Sequence, residues 1–320
     1  MNPRPQTRNK VMRKGLLLLL ILLLGIFFVY CYKQIRFSKF ITNDFRTTVV
    51  FNTQPLLIVS FAKDLANDTI AVTVPDELSV QVPYGYGWYQ VQAIWGLSEL
   101  EKKPELLADT AADLLGVPVT GWVAHTASQK FPENNLESVA GIKSMLSMSS
   151  LFGTDFQTNL NTLDKLLVTL KLIKLNTNKT RLYVLHENET IFVPVKLPDG
   201  STGKSINESA LDTFLEQKFE RAEVREQGLL IKVYNATQTP RVGYKFARFI
   251  TNYGGKVLLI DNIDEAVERC SVTTTSQAEE GLLVDFVIET FACTKSVSNE
   301  PLDADVIVKV GDVYGTRWQL

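Results

Sequence analysis

Histidine, the side chain most used for acid-base catalysis and metal binding, is nearly absent from this chain. His125 and His186 are its only copies, and neither has a cysteine or carboxylate at the spacing of a metal motif. A Ser-His-Asp arrangement would need one of them, and no G-x-S-x-G sequence is present to place a serine nucleophile. The sequence therefore predicts no catalytic residue, no metal site and no cofactor.

Two segments carry side chains that are suited to binding. The segment VPYGYGWYQV (82–91) contains Tyr84, Tyr86 and Trp88, which could form an aromatic platform for a sugar or could cover the core around a tight turn. The segment NATQTP (235–240) contains Asn235 and Thr237 between a predicted strand and helix. Its backbone N–H groups could bind an anion or a peptide carboxylate, or could serve the turn alone.

The anchor that would position these segments is an uncharged run, GLLLLLILLLGIFFVYCY (15–32), near the lower length limit for a membrane span. Of the 33 basic residues, eight precede residue 41, where there are no acids, so the rest of the chain has 25 basic and 35 acidic residues, a net charge of −10. This sign argues against nucleic acid as a partner.

Five basic residues precede the run and three follow it, which favours a cytoplasmic N-terminal segment (1–14) and an extracytoplasmic body. A cleaved signal peptide is the alternative, but no small-x-small cleavage site follows the run. In an exported body Cys270 and Cys293 would meet oxidising conditions, which predicts a disulfide; two separate buried thiols are the alternative.

After a juxtamembrane stalk (33–48), the pattern of residues 49–227 predicts an α/β domain. LLIVSF, TIAVTV and LSVQV indicate three strands of one sheet, and a helix after Pro104 ends at Gly116. A helix capped by Asn161 carries an apolar face that needs a sheet to cover it. The apolar face of the Asn161 helix consists of Leu163, Leu166, Leu167, Leu170 and Ile173. Ser205 and Glu208 form a capping-box pattern before a further helix.

Residues 228–320 form a second, smaller α/β domain in this interpretation. The order strand (229–234), helix (241–253), Gly254-Gly255 and strand (256–260) predicts a βαβ unit with parallel strands. Residues 277–291 fit a helix, although VDFVIETF also fits a strand, and DVIVKV (305–310) predicts a buried strand.

The stretch from residue 228 to residue 316 resembles the LytR C-terminal domain. Its apolar strand, the N-A-T turn and the helix that ends at Gly254 follow that domain's order, with Ala236 where the family has glycine. The preceding domain resembles the LytR-CpsA-Psr domain more faintly, through Asp68-Thr69, Thr73-Val74-Pro75 and LLGVPV (114–119). The resemblance implies a bacterial cell-envelope protein, an α/β sandwich fold and, in catalytic members, transfer of glycopolymers from a polyprenyl-pyrophosphate carrier.

The arginines that bind the pyrophosphate in that family have no counterpart in the motif, because Asp76 stands at the arginine position of S-I-P-R-D. Between Arg46 and Arg181 the chain contains no arginine. We therefore expect a non-catalytic, membrane-anchored protein that binds a wall glycan, a peptide or an envelope protein. The alternative is a diverged glycopolymer transferase with Mg²⁺ and with Asp68 and Asp76 as metal or base carboxylates. A scaffold in a secretion or division assembly is a third hypothesis.

Overall fold

A computed structural model describes residues 6–42, 45–63, 68–125, 136–145, 153, 156–198 and 200–319. It confirms the mixed α/β class with an N-terminal apolar helix. The helices of these residues are α1 Gln6–Arg36, α2 Ile94–Leu100, α3 Glu105–Leu115, α4 Val139–Met145, α5 Thr162–Ile173, α6 Glu208–Leu215, α7 Ala222–Gln227, α8 Val242–Tyr253, α9 Leu282–Phe291 and α10 Asp312–Arg317. The strands are β1 Thr47–Phe51, β2 Leu56–Phe61, β3 Thr69–Val74, β4 Ser79–Val82, β5 Gly87–Gln90, β6 Gly121–His125, β7 Phe156–Thr158, β8 Thr180–Val184, β9 Phe192–Lys196, β10 Thr202–Ile206, β11 Leu230–Asn235, β12 Lys256–Asn262, β13 Cys270–Thr274, β14 Thr294–Val297 and β15 Val306–Val310.

Helix α1 contains a stretch, Gly15–Arg36, that is long and apolar enough to cross a membrane. Its leucine and isoleucine side chains are exposed instead of packed against the rest of the chain. A helix that is apolar on all sides and has no protein covering it is typical of a membrane span.

The first sheet has the strand order β7-β6-β1-β2-β3-β8. Strands β1, β2 and β3 are antiparallel neighbours, whereas β6 and β8 lie parallel to β1 and β3. Side chains alternate between two cores along β2, because Leu56 and Ile58 pack in one apolar cluster and Leu57 and Val59 in another. The sheet is therefore covered on both faces.

Two sequence predictions for this sheet were incomplete. LLIVSF and TIAVTV are its strands β2 and β3, but LSVQV supplies β4, which pairs with β5 in a separate hairpin. The residues after β3, Pro75 to Leu78, turn the chain away, and this turn is fixed by the bond from Leu78 N to the Pro75 carbonyl at 3.3 Å. Strand β1 was not predicted, and it begins at Thr47 inside the predicted stalk.

Helix α5 was predicted with the correct cap but the wrong buried face. The Asn161 side chain accepts from Asp164 N at 2.7 Å. The residues of α5 that the core buries are Asp164, Val168, Thr169 and Leu172. Of the predicted apolar face, Leu166, Leu170 and Ile173 are exposed, whereas Leu163 and Leu167 at its margin are half-buried.

The second sheet has the order β12-β11-β15-β13-β14. Strands β11 and β12 are parallel and are joined by α8, which is the predicted βαβ unit. Gly254 follows α8 at φ 111°, a conformation that side-chain-bearing residues rarely adopt. The ambiguous segment VDFVIETF belongs to helix α9, and Cys270 and Cys293 are joined by a disulfide.

Along the chain, the buried residues pass from the cores of the first sheet to the core of the second sheet shortly before residue 227, where the sequence places a domain boundary. Phe219 belongs to the core of the first sheet, whereas Val224 on α7 packs in the core of the second. The capping box was also misplaced, because β10 keeps Ser205 extended and Asn207 is the residue that caps α6 by accepting from Ala210 N at 3.2 Å. Below, the first unit denotes residues 45–219 and the second unit residues 222–319.

Candidate functional site

The aromatic segment forms the turn of the β4–β5 hairpin, where Gly85 and Gly87 adopt φ values of 76° and 85°. The Tyr84 hydroxyl donates to Asp109 at 2.9 Å and the Tyr86 hydroxyl donates to Glu101 at 3.0 Å, so both tyrosines tie the hairpin to the helices behind it. Trp88 takes no part in these contacts and lines a cleft instead.

This cleft, here called the hairpin cleft, has a volume of about 270 Å³ and lies where the two units meet. The hairpin contributes Trp88 and Gln81, and the second unit contributes Arg241, Tyr244 and Lys245 from the first turn of α8. Its other lining residues are Val80 from the hairpin and, from α3 and the β10–α6 junction, Thr110, Asp113, Leu114, Ser205, Ile206, Asn207, Glu208 and Ser209. The cleft therefore combines two aromatic side chains with hydrogen-bond donors and acceptors.

Charges within the hairpin cleft are arranged around Glu208. Its carboxylate pairs with Arg241 at 2.7 Å and lies 3.7 Å from Arg248. Burial lowers the pKa of Lys245, an effect that the nearby carboxylates of Asp113 and Glu208 oppose. No described carboxylate lies within ion-pair distance of the Lys245 ammonium. This lysine is the cation of the cleft that a ligand would meet.

Asn235 and Thr237 lie together, but their polar atoms are engaged within the chain. The Asn235 amide donates to the Thr239 carbonyl at 3.0 Å and to Asn262 at 3.1 Å. Its Oδ1 accepts from the backbone N–H and the hydroxyl of Thr237, at 3.1 and 2.8 Å. These contacts fix the β11–α8 turn, as Asn side chains do in Asx turns.

Asp68 and Asp76 lie before and after the same strand, β3, which separates them by roughly 20 Å at the usual rise per residue. They do not form one site. Arg181 donates to the Asp68 carboxylate at 2.7 Å, and Arg46 donates to the Asp68 carbonyl at 2.7 Å. The structure thus brings two arginines to Asp68, although neither stands near it in the sequence. Among the described residues, no group of three or more His, Cys, Asp or Glu side chains is arranged to hold a metal.

Sequence reasoning also missed the arginines that join the two units. Arg248 on α8 forms a two-pronged contact with Asp212, with Nε–Oδ2 and Nη2–Oδ1 distances of 2.7 Å. Arg317 on α10 pairs with Asp109 at 3.1 Å and Asp113 at 2.8 Å. Burial raises the pKa of Asp109, and the Arg317 charge offsets part of this rise. No local signal identifies these partners, because they are more than 30 residues apart in the chain.

A second concave region of about 480 Å³ lies between the two units, and the juxtamembrane residues Lys39 and Thr42 also line it. Its cations are occupied by the chain, since Lys39 Nζ donates to the Thr120 carbonyl at 2.6 Å and Arg317 forms the ion pairs described above. Burial lowers the pKa of Lys39, with Asp164 opposing this shift. This region therefore joins parts of the chain and offers fewer unengaged polar groups than the hairpin cleft.

No protein-family model and no curated protein matches this chain. Solved structures that match part of this chain include the one titled "TagT bound to LIIa-WTA", with a TM-score of 0.39 and 12% identity over 55% of this chain and 92% of that one. TagU of Bacillus subtilis has a TM-score of 0.36 and 12% identity over 56% and 98% of the two chains. A third, titled "LytR-CPS2A-psr family protein YwtF (TagT) with bound octaprenyl pyrophosphate lipid", has a TM-score of 0.35 and 12% identity over 55% and 92%.

Proposed function

We propose that this chain is a membrane-anchored, extracytoplasmic protein of the cell envelope that binds saccharide units of a glycopolymer in the hairpin cleft without chemical turnover. The observation that carries this proposal is the composition of the cleft. Trp88 and Tyr244 offer apolar faces, while Glu208, Asn207 and Lys245 offer acceptors and donors around them. Sugars present both an apolar C–H face and a ring of hydroxyls, and this combination suits them.

The size of the hairpin cleft fits a short part of a polymer. Its volume of about 270 Å³ is just below the range of about 300–1,000 Å³ that is usual for pockets of drug-sized ligands. One or two sugar rings would be held, with the rest of the polymer outside. Lys245 would contact an acidic substituent, because an ammonium group acts as a point charge for phosphate or carboxylate oxygens.

Fluorescence of Trp88 provides a direct test. The other tryptophans, Trp95, Trp122 and Trp318, are 6%, 5% and 2% exposed, so Trp88 is the one that a ligand in the hairpin cleft can reach. The full-length protein in detergent would be titrated with fragments of envelope glycopolymer. We expect saturable quenching that is lost in Trp88→Phe, with binding at least about tenfold weaker in Lys245→Gln, a loss of about 1.4 kcal/mol.

Tyr86→Phe is the matched control, because Tyr86 lies on the same hairpin and its hydroxyl bonds to Glu101 outside the cleft. Unchanged binding in this variant is expected. If the wild type, Trp88→Phe and Lys245→Gln retain equal amounts of glycopolymer, the polymer binds elsewhere and the proposal is contradicted. Retention of envelope proteins alone would favour the scaffold hypothesis.

Transfer of a lipid-linked glycopolymer is the second candidate function, and one observation favours it. Arg46 and Arg181 both contact Asp68, which gives two guanidinium groups and a carboxylate at one end of β3. Arginines are the side chains best suited to phosphate oxygens, and the carboxylate could help to hold Mg²⁺. Both guanidinium groups already bond within the chain, so we place this function second.

A polyprenyl-pyrophosphate-linked saccharide, with Mg²⁺ and a cell-wall glycan as acceptor, tests the second candidate, in which the saccharide phosphate passes to an acceptor hydroxyl and polyprenyl phosphate leaves. The release of polyprenyl phosphate would be measured with the wild type and with Asp68→Asn. We expect no turnover above the rate without protein. Turnover that Asp68→Asn abolishes and Asp76→Asn leaves unchanged would replace the binding proposal with the transferase.

A further inference from the structure

Helix α5 turns a row of large apolar side chains to solvent. Leu166, Leu170 and Ile173 are 39%, 43% and 44% exposed, while Val168 and Leu172 on the other side of the helix are buried against the first sheet. Scattered exposed leucines are ordinary, but a contiguous row of them marks an interaction surface. The row needs a partner that the described residues do not supply.

The start of α5 is bonded to the end of the anchor helix. The Tyr30 hydroxyl donates to the Thr162 hydroxyl at 3.1 Å, and the Asn161 amide donates to the Gln34 carbonyl at 3.1 Å. Leu163, the first residue of the predicted apolar face, donates its N–H to the Gln34 side chain at 3.4 Å. These contacts fix where α5 begins relative to α1.

The length of the apolar run then fixes the depth of this contact. Residues 15–32 of α1 extend over about 27 Å at 1.5 Å per residue, close to the hydrocarbon thickness of about 30 Å. Tyr30 and Gln34 therefore fall at the boundary between acyl chains and headgroups. Thr162 and Leu163, which bond to them, lie at the same level, so α5 starts in the headgroup layer.

A buried carboxylate stabilises this joint, the contact of α5 with the end of α1 and the residues that follow it. Asp164 is fully buried and accepts from the Ser38 hydroxyl at 2.6 Å and from the Lys39 N–H at 3.1 Å. A charged acceptor with several donors is one of the stronger polar contacts in proteins. The residues that were predicted as a stalk are thus packed onto α5, and they hold the body close to the bilayer.

Further exposed apolar side chains lie where the anchor helix ends. Ile35, Phe37 and Ile41 are 49%, 69% and 46% exposed, and they line a shallow groove where α1 ends. The basic residue Lys165 lies on α5, and Lys174 is the residue at its C-terminal cap. Apolar side chains with lysines beside them are typical of helices that lie in the interface of an anionic bilayer.

We propose that these residues form a second membrane contact, so that the body rests on the bilayer that α1 crosses. The membrane-facing patch consists of Ile35, Phe37, Ile41, Leu166, Leu170 and Ile173. Its occupant is the lipid bilayer, because the patch begins at headgroup depth and continues directly from the anchor. The contact fixes which side of the body faces outward, whatever ligand the hairpin cleft binds.

Depth-dependent quenching tests this contact in the full-length protein. A Cys31→Ser background, in which Cys270 and Cys293 remain paired, would carry one free cysteine, Leu170→Cys or Leu258→Cys, labelled with the fluorophore NBD. Leu258 is the matched control, because it is also an exposed leucine, at 48% against 43%, but lies on the edge strand β12 of the second unit. The protein would be reconstituted in phosphatidylethanolamine–phosphatidylglycerol vesicles that contain spin-labelled lipid. Label on the native Cys31 reports whether α1 itself is inserted.

We expect quenching at position 170 to exceed that at 258 at least about threefold, as for a side chain about 5–10 Å into the interface. Adding Leu166→Gln and Ile173→Gln should reduce the quenching at 170 and leave that at Cys31 unchanged. Quenching at Cys31 with none at 170 would overturn the proposal while leaving the anchor intact. A label at 170 that is shielded from water but insensitive to spin-labelled lipid would assign the patch to a protein partner or a second copy.

Discussion

The two sheets of this chain bury their strands in different ways. In the first, neighbouring residues of β2 such as Leu57 and Ile58 point to opposite faces and are both buried, at 0% and 1% exposure. In the second, Ile231 and Val233 of β11 are fully buried, while Lys232 and Tyr234 between and beyond them are half-exposed. The second sheet therefore has an apolar core on one face only.

A sheet with one core gains less from apolar burial per strand, so other contacts must stabilise it. The second unit has a disulfide between Cys270 and Cys293, and it is docked on the first through Arg248 and Arg317. Phe45, just before β1, also packs edge-on against Tyr253 and Phe286 at ring distances of 5.4 and 5.3 Å, and these two rings stack on each other at 3.7 Å. The difference teaches that the second unit depends on covalent and inter-unit contacts, and this dependence can be tested.

Loss of the Arg248 ion pair should have the largest effect. Its side chain is 4% exposed, so Arg248→Met would leave the Asp212 carboxylate facing the interface without its partner. Removing one member of a buried pair costs about 3–5 kcal/mol. The measurement is urea unfolding of the full-length protein in detergent, followed by circular dichroism. Arg241→Met is the control, because that arginine pairs with Glu208 on the surface, where such pairs contribute about 0–1 kcal/mol. Equal effects of the two substitutions would show that the interface contributes little.

Removal of the disulfide should have the next largest effect. Cys270→Ala with Cys293→Ala releases a loop of 23 residues, which costs about 3 kcal/mol through the entropy of the unfolded chain. Reductant should destabilise the wild type by the same amount and should leave the double variant unchanged. If the double variant unfolds at the wild-type urea concentration, the single core of the second sheet is sufficient by itself.

Sequence periodicity predicted much of this arrangement, because local patterns determine where helices and strands lie. The α8 helix, its end at Gly254 and the parallel pair β11–β12 follow from such patterns. The residues that cover an apolar face cannot be inferred from such local patterns. The leucines of α5 indicate an amphipathic helix, but the side that packs on the sheet is set by Asp164 and Val168, which the periodicity excluded.

Sites formed by residues that are distant in the chain could also not be predicted from the sequence. The hairpin cleft needs Trp88 and Lys245 to meet across two units, and the contact of Arg181 with Asp68 needs β8 to pair with β3. Trp88 itself could be singled out, because its segment is rich in aromatics. Nothing in the sequence separates it from Tyr84 and Tyr86, whose hydroxyls bond to carboxylates within the chain.

The joint between anchor and body should be weakened by a smaller amount. Asp164→Asn keeps the shape of the side chain but removes the charge that the Ser38 hydroxyl and the Lys39 N–H donate to. Hydrogen bonds to a charged group contribute about 1.5–3 kcal/mol, so we expect a loss of about 2 kcal/mol in the free energy of unfolding of the first unit. Asn207→Asp is a matched control at the cap of α6, away from this joint, where an acceptor is retained. If Asp164→Asn leaves the free energy of unfolding unchanged, the contact between anchor and body does not stabilise the first unit.

The open face of the second sheet should show the smallest effect. Lys232 pairs there with Asp303, whose side chain is 65% exposed, and surface pairs of this kind are screened by water and salt. We expect Lys232→Gln to leave the urea midpoint unchanged, whereas Val233→Ala, one residue further along β11 and fully buried, should lower it clearly because it leaves a cavity. A marked shift for Lys232→Gln in membranes but not in detergent would indicate that the open face is covered in the bilayer-bound protein. The difference in burial between the faces of the two sheets would then hold only for the protein outside a bilayer.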